Sequence, residues 1–181
     1  MKQLKINKLN LGCGTDIRKG FINLDYFDHK GVDVVYDLNQ YPYPFEDNQF
    51  DEILLLDILE HLDRPAECIR ELWRISKPGC KIKITAPHYT STNAWGDMTH
   101  VKPFSQNSMM PFDIKQCKGQ SLEYHQKEKF EVKVELLIPK IYRYSGIGFF
   151  IDNLPRLYER FFAYVLPIQG ITFHLRTIKN G

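Results

Sequence analysis

The stretch Leu9-Asn10-Leu11-Gly12-Cys13-Gly14 decides the fold. Its first half is typical of a short buried strand. Its Gly-x-Gly half lets the backbone approach a ligand closely, because glycine has no Cβ atom. A tight glycine turn without a ligand is the alternative interpretation. A dinucleotide fingerprint would need a third glycine at position 17, where the chain has Ile17, so the motif disfavours NAD as the ligand.

Short apolar segments recur outward from this motif. We predict strands at 8–11, 21–24, 32–36, 50–56, 81–85, 130–138 and 171–178, with helices at 65–76 and 154–166. The alternation of strands and loops in the first half predicts a mainly parallel sheet. Residues 88–128 are polar and show little periodicity, which is typical of a lid or a binding loop.

The first two connections of this sheet are short. Residues 15–22 alone separate the glycine turn from the body of strand two, whereas a parallel crossover needs about a dozen residues or more. The first crossover helices are therefore predicted to be curtailed. Because parallel strands are apolar on both faces, we expect the exposed face to be covered by residues 142–166 or by a second subunit. A chain that ends at Pro139 is accordingly expected to be unfolded.

Two aspartates end successive strands. Asp25 ends strand two, where its carboxylate can accept hydrogen bonds from ribose hydroxyls. Asp37 ends strand three and is followed by Leu38, a pair suited to an adenine ring and its amino group. Ligands of open α/β sheets bind at the carboxyl ends of the strands, where the glycine turn and both aspartates converge.

With these residues in place, the chain resembles class I S-adenosylmethionine-dependent methyltransferases. The motifs that carry the resemblance are LNLGCG, GFINLD, DL, YPFEDNQFDEILLLDILEHL and RISKPGCKIKITAPH, in this order over residues 8–88. They are similar to the small branch whose signature ends in Leu-Glu-His-Leu, and to methyltransferases linked to sugar or cell-surface polymer synthesis. The resemblance implies a Rossmann-like α/β fold with a seven-stranded, mainly parallel sheet and a C-terminal antiparallel hairpin.

The resemblance also implies S-adenosyl-L-methionine as the cofactor and assigns residues to it. Gly12 and Gly14 would border its methionine part, Asp25 its ribose and Asp37 its adenine, while Asp57 would line the floor of the site. The full set assigned to the cofactor is Leu11, Gly12, Cys13, Gly14, Asp25, Tyr26, Asp37, Leu38, Asp57 and His61.

Two roles are open for Glu60 and His61. In some methyltransferases that resemble this chain, acidic and histidine residues near this point hold a divalent metal. Alternatively, Glu60 caps a helix or loop while His61 packs near the cofactor. One Glu-His pair supplies too few ligands for a metal site, so the sequence predicts no metal.

Candidate catalytic residues follow strand five. Methyl transfer is an in-line displacement, and a base is needed only when the acceptor is a weak nucleophile such as a hydroxyl. His88 directly follows the strand, and Asp97 and His100 lie in the polar loop Trp95-Gly96-Asp97-Met98-Thr99-His100. Similar proteins linked to sugar or cell-surface polymer synthesis carry a comparable Asp-x-Thr-His loop, and this resemblance supports a catalytic role for the loop. A loop histidine satisfied by backbone groups is the alternative for each histidine.

Length and composition bound the remaining possibilities. The 181 residues fit one domain (1–181), with a cofactor-binding half (1–88) and a half (89–181) that holds the substrate loop and last strands. The net charge of +2 does not argue for a nucleic-acid partner. Residues 101–181 carry 12 basic and 7 acidic side chains, which suits either an anionic partner or a solvated basic surface.

The cysteines and apolar segments bear on location. Cys13, Cys68, Cys80 and Cys117 show no metal or disulfide spacing, so reduced thiols and a cytoplasmic location are expected. The most apolar stretch, residues 147–168, is interrupted by charges and is not expected to span a membrane.

The aromatic-rich segment 142–166 has three interpretations: cover for the sheet, a homodimer interface, or a surface for a lipid-linked substrate. Arg156 and Arg160, one helical turn apart, suit a phosphate in the last case.

The sequence thus predicts a methyltransferase that acts on a small-molecule or saccharide acceptor. A non-catalytic cofactor-binding partner protein with the same fold is the alternative. An oxidoreductase is disfavoured by Ile17.

Overall fold

The computed structural model describes residues 7–115 and 127–179. Its strands are β1 (Lys8–Leu11), β2 (Ile22–Asp25), β3 (Val34–Val35), β4 (Phe50–Leu56), β5 (Ser76–Pro87), β6 (Lys129–Leu137) and β7 (Gly170–Ile178). The α-helices of these residues are α1 (Pro65–Ile75), α2 (Asn93–Gly96), α3 (Lys140–Tyr144), α4 (Ile147–Asn153) and α5 (Pro155–Phe161). Two 3₁₀ turns lie at Leu59–His61 and Met110–Phe112.

The seven strands form one sheet in the order β3-β2-β1-β4-β5-β7-β6. Strands β1 to β5 pair in parallel, while β7 runs antiparallel to both of its neighbours, β5 and β6. The predicted Rossmann-like sheet with a C-terminal antiparallel hairpin is confirmed.

The prediction that the first two crossover helices are curtailed is also confirmed. No helix occurs in residues 12–21 or 26–33, which connect β1 to β2 and β2 to β3. The helix α1 provides the crossover from β4 to β5. Pro65 begins this helix, since a proline in the first turn loses no intrahelical hydrogen bond. Its apolar face buries Ile69 and Leu72 in the core, and its Trp73 indole donates to the carbonyl of Ile178 at 3.0 Å.

The expectation that both sheet faces are apolar was wrong. One face carries the core row Leu9, Ile53, Ile82 and Leu175 across β1, β4, β5 and β7. The opposite face carries Lys8, Glu52, Lys81, Arg176 and Glu131 in the neighbouring cross-strand row. Charged and apolar residues alternate along β5 and β6, so this part of the face is solvated by its own side chains. On the same face of β1, β2 and β4, the side chains of Asn10, Asn23 and Leu54 are buried.

Strand β5 is longer than predicted because its first residues are held by neighbours. We expected Lys77-Pro78-Gly79 to end the helix, but α1 ends at Ile75 and the strand begins at Ser76. Ser76 pairs with Phe50, and its hydroxyl lies 2.8 Å from that of Thr177 in the core.

The predicted helix 154–166 is replaced by shorter helices. Leu154 has non-helical backbone angles and Pro155 starts a new helix, in keeping with the restriction that proline imposes on the preceding residue. The helix α5 then ends at Phe161, and the Tyr158 hydroxyl donates to the Leu166 carbonyl at 2.7 Å. The segment therefore turns back toward β7 rather than continuing as one helix.

This segment covers part of the molecule and leaves part of its apolar surface in solvent. Ile151 and Tyr158 are fully buried and join the core. The exposed apolar side chains are Ile141, Tyr144, Phe149, Leu154, Leu157, Phe161, Phe162, Tyr164 and Val165. We call these nine residues the C-terminal apolar surface.

Two further features concern thiols and membranes. Cys13, Cys68 and Cys80 are free and buried, while Cys117 lies outside the described residues. Within residues 7–115 and 127–179, no helix combines the length and apolar character that a membrane crossing requires.

Candidate active site

The glycine turn lies at the carboxyl end of β1, and its two glycines have different roles. Gly12 and Gly14 adopt φ angles of +63° and +47°, in the left-handed region that disfavours a side chain. A Cβ atom on Gly12 would lie 2.5 Å from the Ile58 side chain, so packing also requires glycine there. A Cβ atom on Gly14 would meet nothing within 4 Å. The turn is therefore packed at Gly12 and open toward a ligand at Gly14.

Asp25 holds this turn from the neighbouring strand. Its Oδ2 accepts the Gly14 N–H at 2.7 Å, and its Oδ1 accepts the Phe27 N–H at 3.1 Å. An ionised carboxylate offers about four lone-pair positions, so both oxygens retain capacity for ribose hydroxyls. The predicted ribose residue is thus placed beside the open glycine, where a bound nucleoside would contact both.

The other residues assigned to the cofactor differ in what they expose. Leu11 and Cys13 are buried, and burial, followed by the charge of Asp25, raises the pKa of the Cys13 thiol. Leu38 also belongs to the core, so its side chain offers little surface to an adenine ring. Asp37 is half-buried and accepts the Asn39 N–H at 2.9 Å. Tyr26 is largely exposed.

Asp57 connects the glycine turn to a cavity. It directly follows β4 with a φ angle of +55°, and its N–H donates to the Thr85 carbonyl at 3.0 Å. Its neighbour Ile58 is the residue packed against Gly12. The cavity beside Asp57 has a volume of about 820 Å³. Its lining residues are Asp57, Glu60, His61, Ala86, Pro87, Asn93, Gly96, Asp97, Met98, His100, Leu137, Gln169 and Gly170.

The size and polarity of this cavity suit a polar substrate. Ligand pockets of proteins occupy roughly 300–1,000 Å³. The cavity lies at the carboxyl ends of β4, β5 and β6, which is where an open α/β sheet binds its ligands. Its acidic, amide and imidazole side chains offer hydrogen bonds over much of its wall.

Glu60, His61 and His100 form a cluster in the wall of this cavity. The His61 and His100 rings lie 4.6 Å apart, centroid to centroid. Burial, together with the smaller effect of the nearby Asp57 and Asp97 charges, raises the pKa of the Glu60 carboxyl to about 7 despite one backbone hydrogen bond. The sequence alone favours a cap or a metal ligand at Glu60. The structure makes it a buried acid facing two histidines.

The Asp-x-Thr-His loop supports this cluster through Thr99. The Thr99 hydroxyl donates to Asp97 Oδ1 at 2.7 Å and lies 2.9 Å from His61 Nδ1. These bonds place the loop against the 3₁₀ turn that follows β4. Asp97 and His100 are therefore brought into the cavity together, as the sequence predicted for the loop. Thr99 was missed as a functional residue, although it stands between two predicted ones.

His88 lies apart from the cavity. It is fully buried, and its Nδ1 is 2.7 Å from the Thr90 hydroxyl while its Nε2 is 3.0 Å from Glu159 Oε1. The same Glu159 oxygen accepts the Gln106 N–H at 2.9 Å. Because both ring nitrogens have partners, this geometry favours a structural role for His88, which ties α5 to the end of β5. His100, by contrast, lines the cavity.

Replacing His88 with alanine should destabilise the fold rather than the chemistry. The substitution empties a buried site and leaves the Glu159 carboxylate without its imidazole partner, which costs about 3–5 kcal/mol. For a chain of this length we expect a melting temperature about 6–20 °C lower, measured by circular dichroism. The control is His174→Ala, because His174 forms an exposed pair with Glu135 at 3.3 Å. If His88→Ala kept the parent melting temperature and lost turnover, His88 would be a catalytic residue rather than a structural one.

Comparisons with known proteins agree with this geometry. Residues 12–84, from the glycine turn into β5, match the family model described as a methyltransferase domain. That match covers less than half of the chain. Among curated proteins, none has a sequence that matches the chain.

Solved structures resemble the whole fold. A SAM-dependent methyltransferase from Archaeoglobus fulgidus is 20% identical with a TM-score of 0.62, covering 93% of this chain and 85% of its own. Phosphoethanolamine N-methyltransferase 2 of Haemonchus contortus, in complex with S-adenosyl-L-methionine, is 15% identical with a TM-score of 0.57, covering 96% and 48%. The [4+2]-cyclase SpnF is 16% identical with a TM-score of 0.54, covering 96% and 75%.

At these identities the structural likeness shows the fold. Together with the domain match, it supports the class I S-adenosylmethionine-dependent methyltransferase family, with S-adenosylmethionine as the cofactor. The solved structures that resemble this chain include one named as a cyclase, so the fold alone does not define the reaction.

Proposed function

We propose that this chain is a methyltransferase that transfers the methyl group of S-adenosylmethionine to a hydroxyl-rich small molecule or saccharide. The observation that carries the proposal is the shared wall between two sites. Gly12 packs on Ile58, and the residue before Ile58, Asp57, lines the polar cavity. A cofactor seated on the open side of Gly14 and an acceptor in the cavity would therefore meet across Asp57.

The cofactor is held by groups that suit its parts. Asp25 receives the ribose hydroxyls, with Tyr26 beside it. Asp37 and the backbone around Leu38 receive the adenine. The glycine turn, with Leu11 and Cys13 buried behind it, leaves room for the methionine part. His61 lines the acceptor cavity and is proposed to border the cofactor there.

The same geometry argues against a dinucleotide. Dinucleotide-binding folds place the pyrophosphate at the N-terminus of the helix that follows the first strand. In this structure residues 12–21 form no helix, and Ile17 occupies the position of the third glycine. A sulfonium amino acid has no pyrophosphate and does not need that helix terminus.

The binding experiment compares S-adenosylmethionine, S-adenosylhomocysteine and NAD by calorimetry on the intact protein. We expect both sulfur compounds to bind and NAD to show no saturable heat. S-adenosylhomocysteine is the matched control for the transferable methyl group, since it differs from the cofactor at that group alone. Tighter binding of NAD than of S-adenosylhomocysteine would overturn the assignment.

The alternative, a non-catalytic partner that binds the cofactor, predicts the same binding without turnover. Five ionisable side chains line the acceptor cavity, namely Asp57, Glu60, His61, Asp97 and His100. A binding protein has no evident need for them, so they favour an enzyme. Release of S-adenosylhomocysteine in the presence of candidate saccharides separates the two functions.

The C-terminal apolar surface is proposed to contact a lipid-linked, anionic form of the acceptor. Lys140, Arg143, Arg156 and Arg160 lie among its apolar side chains, within the helices α3 and α5. A two-fold dimer would place the same cationic patch on both sides of the interface, which is unfavourable. An anionic head group with an apolar chain complements both features. The chain is proposed to work in the cytoplasm, where its thiols stay reduced.

A further inference from the structure

The cluster of Glu60, His61 and His100 has the composition of a metal site. One ligand atom from each residue lies within 4.8 Å of the other two. Three atoms at that upper limit are each about 2.8 Å from a common centre, so side-chain movements of less than about 1 Å give metal bonds of about 2.0–2.2 Å. The sequence-based prediction of no metal rested on Glu60 and His61 alone. The structure adds His100 as a third ligand, from a loop 39 positions further along the chain.

Two atoms of this cluster are buried without a partner. Glu60 is 2% exposed and the His100 side chain 9% exposed. Glu60 Oε2 and His100 Nδ1 are nevertheless among only three buried side-chain polar atoms without a hydrogen bond in the described parts of the chain. Leaving such an atom unpaired costs roughly 1–3 kcal/mol. These two atoms belong to residues whose ligand atoms lie within 4.8 Å of each other, which indicates a ligand between the two side chains.

The remaining contacts orient the His61 imidazole for metal binding and leave one nitrogen of His100 without a partner. The Thr99 hydroxyl donates its proton to Asp97, so it can only accept at His61, whose Nδ1 must then carry the hydrogen. This tautomer leaves the lone pair on His61 Nε2. On His100, Nε2 lies 3.9 Å from Asp97 Oδ2, and Nδ1 is the unpartnered atom. Asp97 thus supports His61 through the Thr99 hydroxyl, as carboxylates in the outer shell of metal sites do, whereas 3.9 Å is too long for a hydrogen bond to His100.

A second group of ligand-type residues is less suited to a metal. Cys13, Asp25 and His29 also lie within bonding range of one another. Both oxygens of Asp25 already accept backbone N–H groups, and burial raises the pKa of the Cys13 thiol, which opposes the thiolate that a metal needs. No atom of this group is among the unpartnered buried ones.

We propose that Glu60, His61 and His100 bind one divalent transition-metal ion in the wall of the acceptor cavity. Two imidazoles and one carboxylate favour Mn²⁺, Fe²⁺, Co²⁺ or Zn²⁺ over Mg²⁺ and Ca²⁺, which prefer oxygen ligands. Three protein ligands leave coordination positions open toward the cavity, and Asp57 lies on the same wall.

This site gives the proposed methyl transfer a way to activate a hydroxyl, and that role rests on the proposed function. A bound divalent ion acts as a Lewis acid that lowers the pKa of an oxygen acid bound to it. The acceptor oxygen forms a bond to the methyl carbon as the carbon–sulfur bond of the sulfonium breaks. The bonding pair stays on sulfur as S-adenosylhomocysteine, and the hydroxyl proton leaves to solvent.

The test is a titration of the intact protein with Co²⁺, followed by the visible d–d absorption of the bound ion and by calorimetry. We expect one equivalent to bind saturably and to raise the melting temperature, because the site does not exist in the unfolded chain. Glu60→Gln and His100→Ala should each weaken Co²⁺ binding at least tenfold. Thr99→Ala should weaken it less, since it removes only the outer support of His61.

Two matched controls accompany these variants. His174→Ala removes an exposed histidine of the charged sheet face, and His29→Ala removes the histidine of the second group. Both should bind Co²⁺ as the parent does. Lack of saturable Co²⁺ uptake by the folded parent protein overturns the proposal without any variant. So does uptake that survives in Glu60→Gln and His100→Ala, or that His29→Ala abolishes.

A failure of the metal site can be distinguished from a failure of the proposed methyltransferase function. S-adenosylhomocysteine binding is measured by calorimetry on the same metal-free protein. Co²⁺ binding without S-adenosylhomocysteine binding keeps the metal site and removes the methyltransferase assignment. The opposite result removes the metal site and leaves His100 as the candidate base for a hydroxyl acceptor.

Discussion

Replacing Asp25 with asparagine should weaken the binding of S-adenosylmethionine at least tenfold. The carboxylate accepts the Gly14 and Phe27 N–H groups, and in the proposed complex it also accepts the ribose hydroxyls. An amide has one acceptor oxygen, so at least one charge-assisted bond is lost, at about 1.5–3 kcal/mol. A loss of about 1.4 kcal/mol already corresponds to tenfold in the dissociation constant, which calorimetry measures directly.

Asp28→Asn is the matched control. Asp28 is an exposed aspartate three positions further along the same loop, so it changes the local charge equally without touching the glycine turn. The melting temperature of Asp25→Asn is measured in parallel, because Asp25 also anchors Gly14 and the turn itself could loosen. A dissociation constant unchanged from the parent in a folded Asp25→Asn protein would show that the ribose is held elsewhere.

Removing the segment between β6 and β7 should unfold the protein or lower its melting temperature by at least about 10 °C. Leu137 and Gly170 are paired neighbours across these strands, and the Gln169 N–H donates to the Leu137 carbonyl at 3.1 Å. Residues 138–169 are thus an insertion into a β-hairpin, and a two-residue Asn-Gly turn can replace them. The replacement keeps all seven strands while deleting α3, α4 and α5.

The expected loss comes from the buried part of the segment. Tyr158 and Ile151 are fully buried, and each such side chain contributes about 1.5–3 kcal/mol. Glu159 is removed as well, which leaves buried His88 without its partner. A native domain is stable by only about 5–15 kcal/mol, so these losses are a large fraction of the total. Circular dichroism melting decides the outcome.

The control is Phe149→Ser, which removes an aromatic side chain from the same segment at a position that is 75% exposed. It should melt with the parent protein. A cooperative transition at the parent temperature in the hairpin replacement would show that the segment serves binding alone. Sedimentation velocity of the intact protein accompanies this test. We expect a monomer, and a stable dimer would favour a second copy as the partner of the C-terminal apolar surface.

Simple truncation after Pro139 is a less informative experiment than the sequence suggested. The strand β7 lies between β5 and β6, so a chain that ends at Pro139 also loses the strand that joins them. Its unfolding would not report on α3 to α5. The sequence predicted a last strand at 171–178 but could not show that it inserts inside the sheet rather than adding to its edge.

The sequence was informative wherever local chemistry decides the structure. The strand from Phe50 to Leu56 and the helix start at Pro65 follow from apolar runs and a proline in the first turn. The glycine turn follows from positions that need positive φ angles. The absence of full crossover helices follows from the small number of residues that connect the first three strands. These features depend on neighbours a few residues away, which the sequence displays directly.

Only the tertiary structure decided how the site is assembled. Thr99 meets His61 across 38 positions, and His88 meets Glu159 across 71. No periodicity links such pairs, because they are brought together by the order of the strands and by the return of the last helices onto the sheet. His88 and His100 look alike in the sequence, and their partners in the folded chain separate them: both ring nitrogens of His88 have partners, whereas His100 has a buried nitrogen without one and clusters with Glu60.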